Sequence, residues 1–401
     1  TRGVLRHDTG ALVKAAFPPM GHIYVNLGAL VRNLGTDLCM PPRPSRATLS
    51  TGVQHAPEQY CLPFKVNLGD LMASLDSGAE LLVSVQGAWS CRFGYYGRLQ
   101  HAILRDLGYE FESLILDGSR ESIRETIEVI KRLNGVRTDA TAARIFAHAF
   151  RVAFKKGKLL QMCQSSARRL RPVAVQARVV DQVFDHMVER IDATDDLRSL
   201  RALEGETERV FAEVPVVARA DLIRVMIVGE VYIVLESLVN TNAERTLGGL
   251  GALVDVFVDE HRWLVHPFHL GVRGRYHERH AHKLATPYLK YNLGGEDKNT
   301  LGYTIIAALR GFDGVVHFKP FTCMPEGVAK HILYSVSDDY AIPFVSFTVD
   351  EQTGEAGMLT RMEAFVDMLE QRRELPRAAV SGEPHGGVGR SVGGPRAGRA
   401  G

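Results

Sequence analysis

The chain has 401 residues, 45% of them apolar and 23% charged, which is the balance of a globular protein large enough for two or three domains with buried cores. Its 48 basic and 46 acidic residues leave a formal charge of +2, so no block of charge calls for nucleic acid. The longest apolar run, LIRVMIVGEVYIVL from Leu222, is broken by Arg224 and Glu230 and is too short and too charged to span a bilayer, so no membrane partner is expected.

Strand and helix patterns alternate along the chain, the mark of parallel sheets covered on both faces. ALVKAAFPP reads as a first strand, and HIYVNLGALVRNL as its helix, with Ile23, Leu27, Leu30, Val31 and Leu34 on one face. Asp37 to Met40 is a short strand ended by Pro41 and Pro42. Phe64 to Leu75 is helical, Glu80 to Gln86 is a buried strand, and Tyr95 to Leu107 is a helix closed by Gly108. Glu112 to Leu116 and Ser119 to Leu133 complete a first α/β unit, residues 1–136.

From Thr138 to about Val210 the strand signal disappears into charged helices, which predicts a helical connector over 137–215. Strands return at Leu222 to Val228, Val254 to Val258, Gly314 to Phe318 and Phe344 to Phe347, and a last helix runs from Gly357 to Gln371. This is a second α/β unit over 216–372. The Gly-, Pro- and Arg-rich stretch 373–401 lacks periodic apolar residues and should be disordered. The weak repeat in the chain is the two α/β halves themselves.

Five scattered cysteines, with no apolar signal region in TRGVLRHD, suit a reducing cytoplasm. The chain opens on Thr1 rather than Met, as a fragment or a processed form would. Cys91 follows the strand ELLVSVQ, Cys323 follows GVVHFK, and Cys61 precedes a helix in which Pro63 suits the first turn. Such junctions lie at the carboxyl ends of strands, where ligands collect in open α/β sheets. A thiol at a helix N-terminus meets the positive end of the macrodipole, which favours thiolate. Lys65, Arg92 and Lys319 accompany Cys61, Cys91 and Cys323 as electrostatic support. Three thiolates are one short of a closed zinc site but suit a 4Fe-4S cluster with one iron left open. Each cysteine taken alone reads equally well as a buried core residue.

The segments CLPFKVNLG (Cys61 to Gly69), CRFGYYG (Cys91 to Gly97), GFDGVVHFKPFTCMPE (Gly311 to Glu326) and DEQTGEAGMLTRMEAFVD (Asp350 to Asp367) resemble the 2-hydroxyacyl-CoA dehydratase superfamily. The branch they resemble most is that of the acyl-CoA dehydratase activase-related proteins. The resemblance spans about residues 15–372. It implies two Rossmann-like, doubly wound domains that hold an oxygen-sensitive 4Fe-4S cluster by three cysteines in the cleft between them. It also implies an ATP-dependent activase as electron donor, a second dehydratase-like subunit and an acyl-CoA substrate. In that chemistry one electron on the thioester carbonyl makes a ketyl radical, which expels the 2-hydroxyl and acidifies the β-hydrogen. The alternative is an activase-dependent electron-transfer or regulatory iron-sulfur protein without acyl-CoA chemistry. The chain departs from the family where relatives carry Gly-Cys-Gly-Pro-Cys-Arg: it reads Gly87-Ala88-Trp89-Ser90-Cys91-Arg92, so one loop cysteine is replaced by Ala88.

Other candidates compete less well. Cys39-Met40-Pro41 is a third Cys-x-Pro, but PRPSRATLS after it matches none of these motifs, and Cys163 sits inside a basic helix as a structural cysteine. His261, His266, His269, His277, His280 and His282 make a dense run without HExxH and read as a solvated basic surface. Gly294 to Gly302 bends like a loop that approaches a ligand, without a P-loop signature. Arg43 and Arg46 could meet coenzyme A phosphates but read first as surface charges. Glu58 and Glu326 could move protons, or equally cap a helix or lie in solvent.

Overall fold

The computed structural model describes residues 12–40, 44–87, 91–265 and 278–374. The first half runs β1 (Lys14–Ala16), α1 (Ile23–Asn33), β2 (Asp37–Leu38), α2 (Arg46–His55), α3 (Leu62–Asp76), β3 (Leu81–Val85), α4 (Tyr96–Asp106), β4 (Glu112–Leu116) and α5 (Arg120–Asn134). Helices α6 (Asp139–Leu170), α7 (Ala177–Asp192) and α8 (Leu197–Ala212) follow. The second half runs β5 (Arg224–Gly229), α9 (Val231–Leu235), α10 (Ser237–Asn240), α11 (Ala243–Gly249), β6 (Leu253–Val256) and α12 (Glu260–Val265). It continues with α13 (Glu278–Ala285), α14 (Asp297–Leu309), β7 (Gly314–Pro320), α15 (Met324–Tyr340), β8 (Phe344–Val349) and α16 (Glu355–Glu374).

Among the described residues the strands form two four-stranded sheets, ordered β2-β1-β3-β4 and β6-β5-β7-β8, with every pairing parallel. The same order in each half accounts for the weak repeat in the sequence. Leu81 to Ser84 and the whole of β7 are buried, as inner strands covered on both faces must be. The first strand is shorter than its apolar run, because Pro18 and Pro19 have no amide for a ladder. Helix α2 is the element the sequence reading passed over. It begins at Arg46, where Ser45 and Thr48 close a reciprocal capping box. Helix α5 lies within a residue of its expected bounds: Ser119 accepts the Ser122 amide to start it, and Gly135 closes it at φ 63°.

Helices α6 to α8 fill the stretch expected to be helical. Their core, with Leu160, Cys163, Phe184, Val188 and Leu200, also takes in Val25 and Ala29 of α1. The final stretch needs a correction. Arg373 belongs to the last turn of α16, where its guanidinium bonds both oxygens of Asp313 at 2.6 Å, so order extends past the expected start of the tail at 373. Residues 375–401 lie outside the described residues. No helix among the described residues is long and apolar enough to cross a membrane.

The halves are joined at the start of α1. Its N-cap, His22, makes no side-chain capping bond. Instead the Gly21 amide donates to Glu236 Oε2 at 2.8 Å, and the His22 amide donates to Glu260 Oε1 at 3.0 Å. Gly21 is required here: φ is +53°, and a Cβ would sit 2.6 Å from the Leu235 carbonyl oxygen. Glu260 also accepts Gln164 Nε2 of α6 at 2.7 Å, and its main-chain oxygen takes Asn26 Nδ2 at 3.2 Å. One buried carboxylate therefore ties all three parts of the chain.

Burial pushes the Glu260 carboxyl up, but the hydrogen bonds and charge of His22 and the Gln164 bond outweigh it and hold it at about 2. A depressed folded-state pKa stabilises the fold above the ordinary value of 4.5, and that stabilisation is lost as pH falls from 4.5 towards 2. The shift corresponds to about 3 kcal/mol. In urea unfolding, Glu260→Gln should be less stable than wild type by about that amount at pH 7 and nearly equal to it near pH 2. A constant difference across this window would show that the carboxylate charge is not what the junction uses.

Candidate metal centre

Each cysteine of the expected set is the N-cap residue of a helical segment, in extended backbone. Cys61 opens α3 with Pro63 in the first turn, Cys91 opens a 3-10 turn, Arg92–Tyr95, that runs into α4, and Cys323 opens α15 with Pro325 in the first turn. Proline suits this place because it lacks an amide that would go unpaired. The first-turn amides of Phe93 and Glu326 lower the Cys91 and Cys323 thiols, and the Cys61 sulfur meets the Tyr96 hydroxyl. Cys91 and Cys323 follow β3 and β7, which hold the same position in their two sheets.

The structure brings these residues into one electrostatic neighbourhood. The Cys61 thiol responds to Cys91, and the Cys323 thiol responds to Cys61. Cys61 is buried at 8% exposure, with the Tyr96 hydroxyl 2.5 Å from its sulfur, while Cys91 and Cys323 are half-buried. Tyr96 is held edge-on by Phe64 and Phe93. Among the described residues no three His, Cys, Asp or Glu side chains stand close enough to share a single metal ion. The thiolates of a cubane bind separate irons, on the order of 6 to 7 Å apart, and are not subject to that limit.

The expected lowering of the thiol pKa values is overturned. Burial pushes Cys61 up to about 12, with the Tyr96 hydroxyl opposing it and Glu230 adding to it. Cys91 is raised by burial and by Glu230 and Glu296, and Cys323 by burial and by Glu326 and Glu230. Desolvation of a thiolate and nearby carboxylates here outweigh the helix dipole.

The three cations divide differently. Lys319 is buried beside Cys323, and its Nζ donates to the main-chain oxygens of Pro320 at 3.1 Å and Phe321 at 3.3 Å. Arg92 is exposed, donates to the Gln59 carbonyl, stacks over Tyr60 at 5.7 Å and lowers both Cys61 and Cys91. Lys65 is buried, and its Nζ is matched by Glu351 Oε1 at 2.7 Å, a bridge from α3 to the segment after β8. Its charge is shared with the second half rather than left for a thiolate.

Several acidic groups were not assigned from sequence. Glu230 ends β5 and caps α9 through Oε2 to the Ile233 amide at 3.0 Å, and burial raises its pKa to about 7. Glu326, weighed before only as a possible proton carrier, is fully buried: it accepts from Thr300 Oγ1 and lies 2.8 Å from His317 Nε2, whose Nδ1 lies 2.9 Å from Ser346 Oγ. Burial raises Glu326 to about 8 and lowers His317 to about 3, so the pair is kept neutral overall with one proton between Oε2 and Nε2. The signal for Glu326 was its place three residues after Cys323, and for Glu230 its place ending an apolar strand.

The remaining candidates fall away from this set. Cys39 donates its thiol to Ser77 at the far end of α3, about 20 Å along that helix from Cys61. Cys163 is fully buried in the helical core. His261 corrects the reading of the histidine run as solvated: it is buried, edge-on to Phe154 at 4.8 Å, and burial lowers its pKa to about 4. His280 is exposed, His282 is half-buried near Glu278, and His266, His269 and His277 lie outside the described residues, as do Arg43 and Ala88. Arg46 and Glu58 are exposed. Gly295 approaches the Pro325 ring, so the tight bend serves packing against α15. No protein-family model matches the chain, and no curated protein matches it.

The Lys65–Glu351 bridge gives a stability test. Glu351→Ala leaves a buried ammonium without its partner and should cost on the order of 2 to 3 kcal/mol in urea unfolding. Adding Lys65→Met should recover much of that loss. Glu213→Ala, which removes an exposed pair with Arg209 within α8 and its C-terminal end, should change stability by no more than about 0.5 kcal/mol. Equal effects from Glu351→Ala and Glu213→Ala would mean that the bridge does not hold the halves.

Proposed function

We propose that the chain is the iron-sulfur component of a 2-hydroxyacyl-CoA dehydratase-type system, with Cys61, Cys91 and Cys323 holding a 4Fe-4S cluster. The single observation that carries this reading is that cysteines from both halves each stand at a helix start, with Cys91 and Cys323 following inner strands that hold the same place in their two sheets. Each half is read as a Rossmann-like, doubly wound unit, with the cluster site in the cleft between them. Strand order that reverses between β1 and β3, and again between β5 and β7, supports that reading. The donor set suits the group: thiols at helix starts, carboxylates around them, and Lys319 and Arg92 as the nearby cations.

When bound, the cluster would supply one electron at low potential to a substrate carbonyl. The chain's own residues do the rest. The cysteines fix the group across the two halves, and a coordinated thiol gives up its proton whatever its pKa in the free site. Lys319 and Arg92 offset the resulting negative charge. Glu326 and His317 keep a proton between Oε2 and Nε2 one helical turn from Cys323. An ATP-dependent activase as electron donor, a second dehydratase-like subunit, an acyl-CoA substrate and a cytoplasmic location belong to the same proposal. An activase-dependent electron carrier without acyl-CoA chemistry would use the same three cysteines, and binding of a thioester separates the two.

Anaerobically purified protein should carry roughly four irons with matching acid-labile sulfide and the broad absorption of thiolate-ligated iron. Cys61→Ala and Cys323→Ala should each lower the retained iron at least about tenfold, and Cys163→Ala should leave it unchanged. A colourless protein that cannot be reconstituted overturns the proposal, and equal iron loss in all three variants would point to general instability.

A further inference from the structure

A hydrogen bond to a sulfur that holds an iron-sulfur cluster changes how readily the cluster takes an electron. The structure holds a hydroxyl in place to make one. Tyr96 Oη lies 2.5 Å from the Cys61 sulfur, and the two residues are 4% and 8% exposed, so little water competes for the contact. Tyr96 begins α4 directly after the turn that Cys91 opens, and Cys61 stands at the start of α3. One hydroxyl thus joins the two cysteine-bearing segments of the first half.

Packing holds the ring where it is. Phe64 meets it edge-on at 5.1 Å and Phe93 at 5.4 Å, with Tyr60 at 6.3 Å. Its backbone is fixed as well. A Cβ at the next residue, Gly97, would stand 2.9 Å from the Ser84 Cβ of β3, so the start of α4 is pressed against the sheet. Gln100 ties α4 to α3 through its Nε2, which donates to the Phe64 carbonyl at 3.1 Å. In the free site either atom of the Tyr96–Cys61 pair can donate. A metal-bound cysteine has lost its proton and a phenol keeps its own at pH 7, so in the loaded site Tyr96 is the donor.

We propose that Tyr96 is a positioning residue for the cluster, donating a hydrogen bond to the Cys61 sulfur that favours the one-electron-reduced state over the oxidised one. The assignment rests on the iron-sulfur reading above. Part of the charge of an added electron appears on the ligand sulfurs, and the more negative sulfur bonds a donor more strongly. Burial works the other way, because it disfavours any added negative charge. Tyr96 therefore makes the reduced state easier to reach without placing a formal charge in the site.

The test uses the full chain reconstituted anaerobically with ferrous iron and sulfide, as wild type, Tyr96→Phe and Tyr109→Phe. Tyr109 bonds Asp76 at the far end of α3 and serves as the control. Titanium(III) citrate sets the potential, and the reduced fraction is read from the electron paramagnetic resonance signal. Circular dichroism and iron content check that each protein folds and loads. At a fixed potential the ratio of reduced to oxidised cluster should fall about tenfold in Tyr96→Phe, a shift of about 59 mV for one electron, and stay within about twofold in Tyr109→Phe. Placing 3-fluorotyrosine at position 96, a more acidic donor of almost the same shape, should raise the ratio at least about twofold. That protein decides alone if Tyr96→Phe does not fold. Wild-type protein that takes up no cluster would remove the underlying reading and this assignment with it. Wild-type uptake with an unchanged ratio in Tyr96→Phe, an equal fall in Tyr109→Phe, or an unchanged ratio in the 3-fluorotyrosine protein where it decides, would remove the assignment of Tyr96 alone.

Discussion

The rest of the structure depends on how α1 begins. A helix leaves its first amides without partners inside the helix, and burying them uncapped is costly. Within the first half the Met20 and His22 carbonyls take the amides of Ile23 and Val25, but no side chain there takes those of Gly21 and His22 just ahead. Glu236 and Glu260 of the second half do, at 2.8 and 3.0 Å, and their negative charge meets the positive end of the helix dipole. The need of one half for an acceptor thus becomes the bond between the halves. Gln164 and Asn26 extend the same contact to the helical layer.

That junction also joins corresponding ends of the two sheets. Gly21 and His22 lie in the turn after β1, Glu236 lies in the helices after β5, and Glu260 follows β6. All follow the carboxyl ends of parallel strands, so the clamp links segments that leave the same ends of the two sheets. Cys91 and Cys323 come off the neighbouring inner strands, β3 and β7, at those same ends. The Lys65–Glu351 bridge adds a second tie one helical turn from Cys61.

What the sequence revealed and what it hid follow one physical division. Alternating strands and helices, the Gly108 stop and the three cysteines at helix starts are local patterns, and they stand where the sequence reading put them. Strand order, the partner of Lys65 and the environment of His261 depend on residues far away in the chain, and no local pattern carries them. Glu351 lies 286 positions from Lys65. The direction of the thiol pKa values was misjudged for the same reason: the helix dipole is local, whereas burial and the charges of Glu230 and Glu326 are products of the tertiary fold. Glu230 was visible only as a charge interrupting an apolar run.

The charge balance around the thiols is set by which of the neighbouring acids keep a proton or a partner. Lys65 is neutralised by Glu351, and Glu326 shares a proton with His317, which leaves Lys319 and the exposed Arg92 beside Glu230. An acid placed in a poorly solvated site without a counter-charge weakens the fold, because its charged form is disfavoured there while it ionises freely in the unfolded chain. Replacing such acids by apolar groups of similar size would stabilise a protein that holds nothing in this place. Under the iron-sulfur reading proposed above, a positively charged core would instead draw the thiols into their ionised forms and offset the cost of burying them.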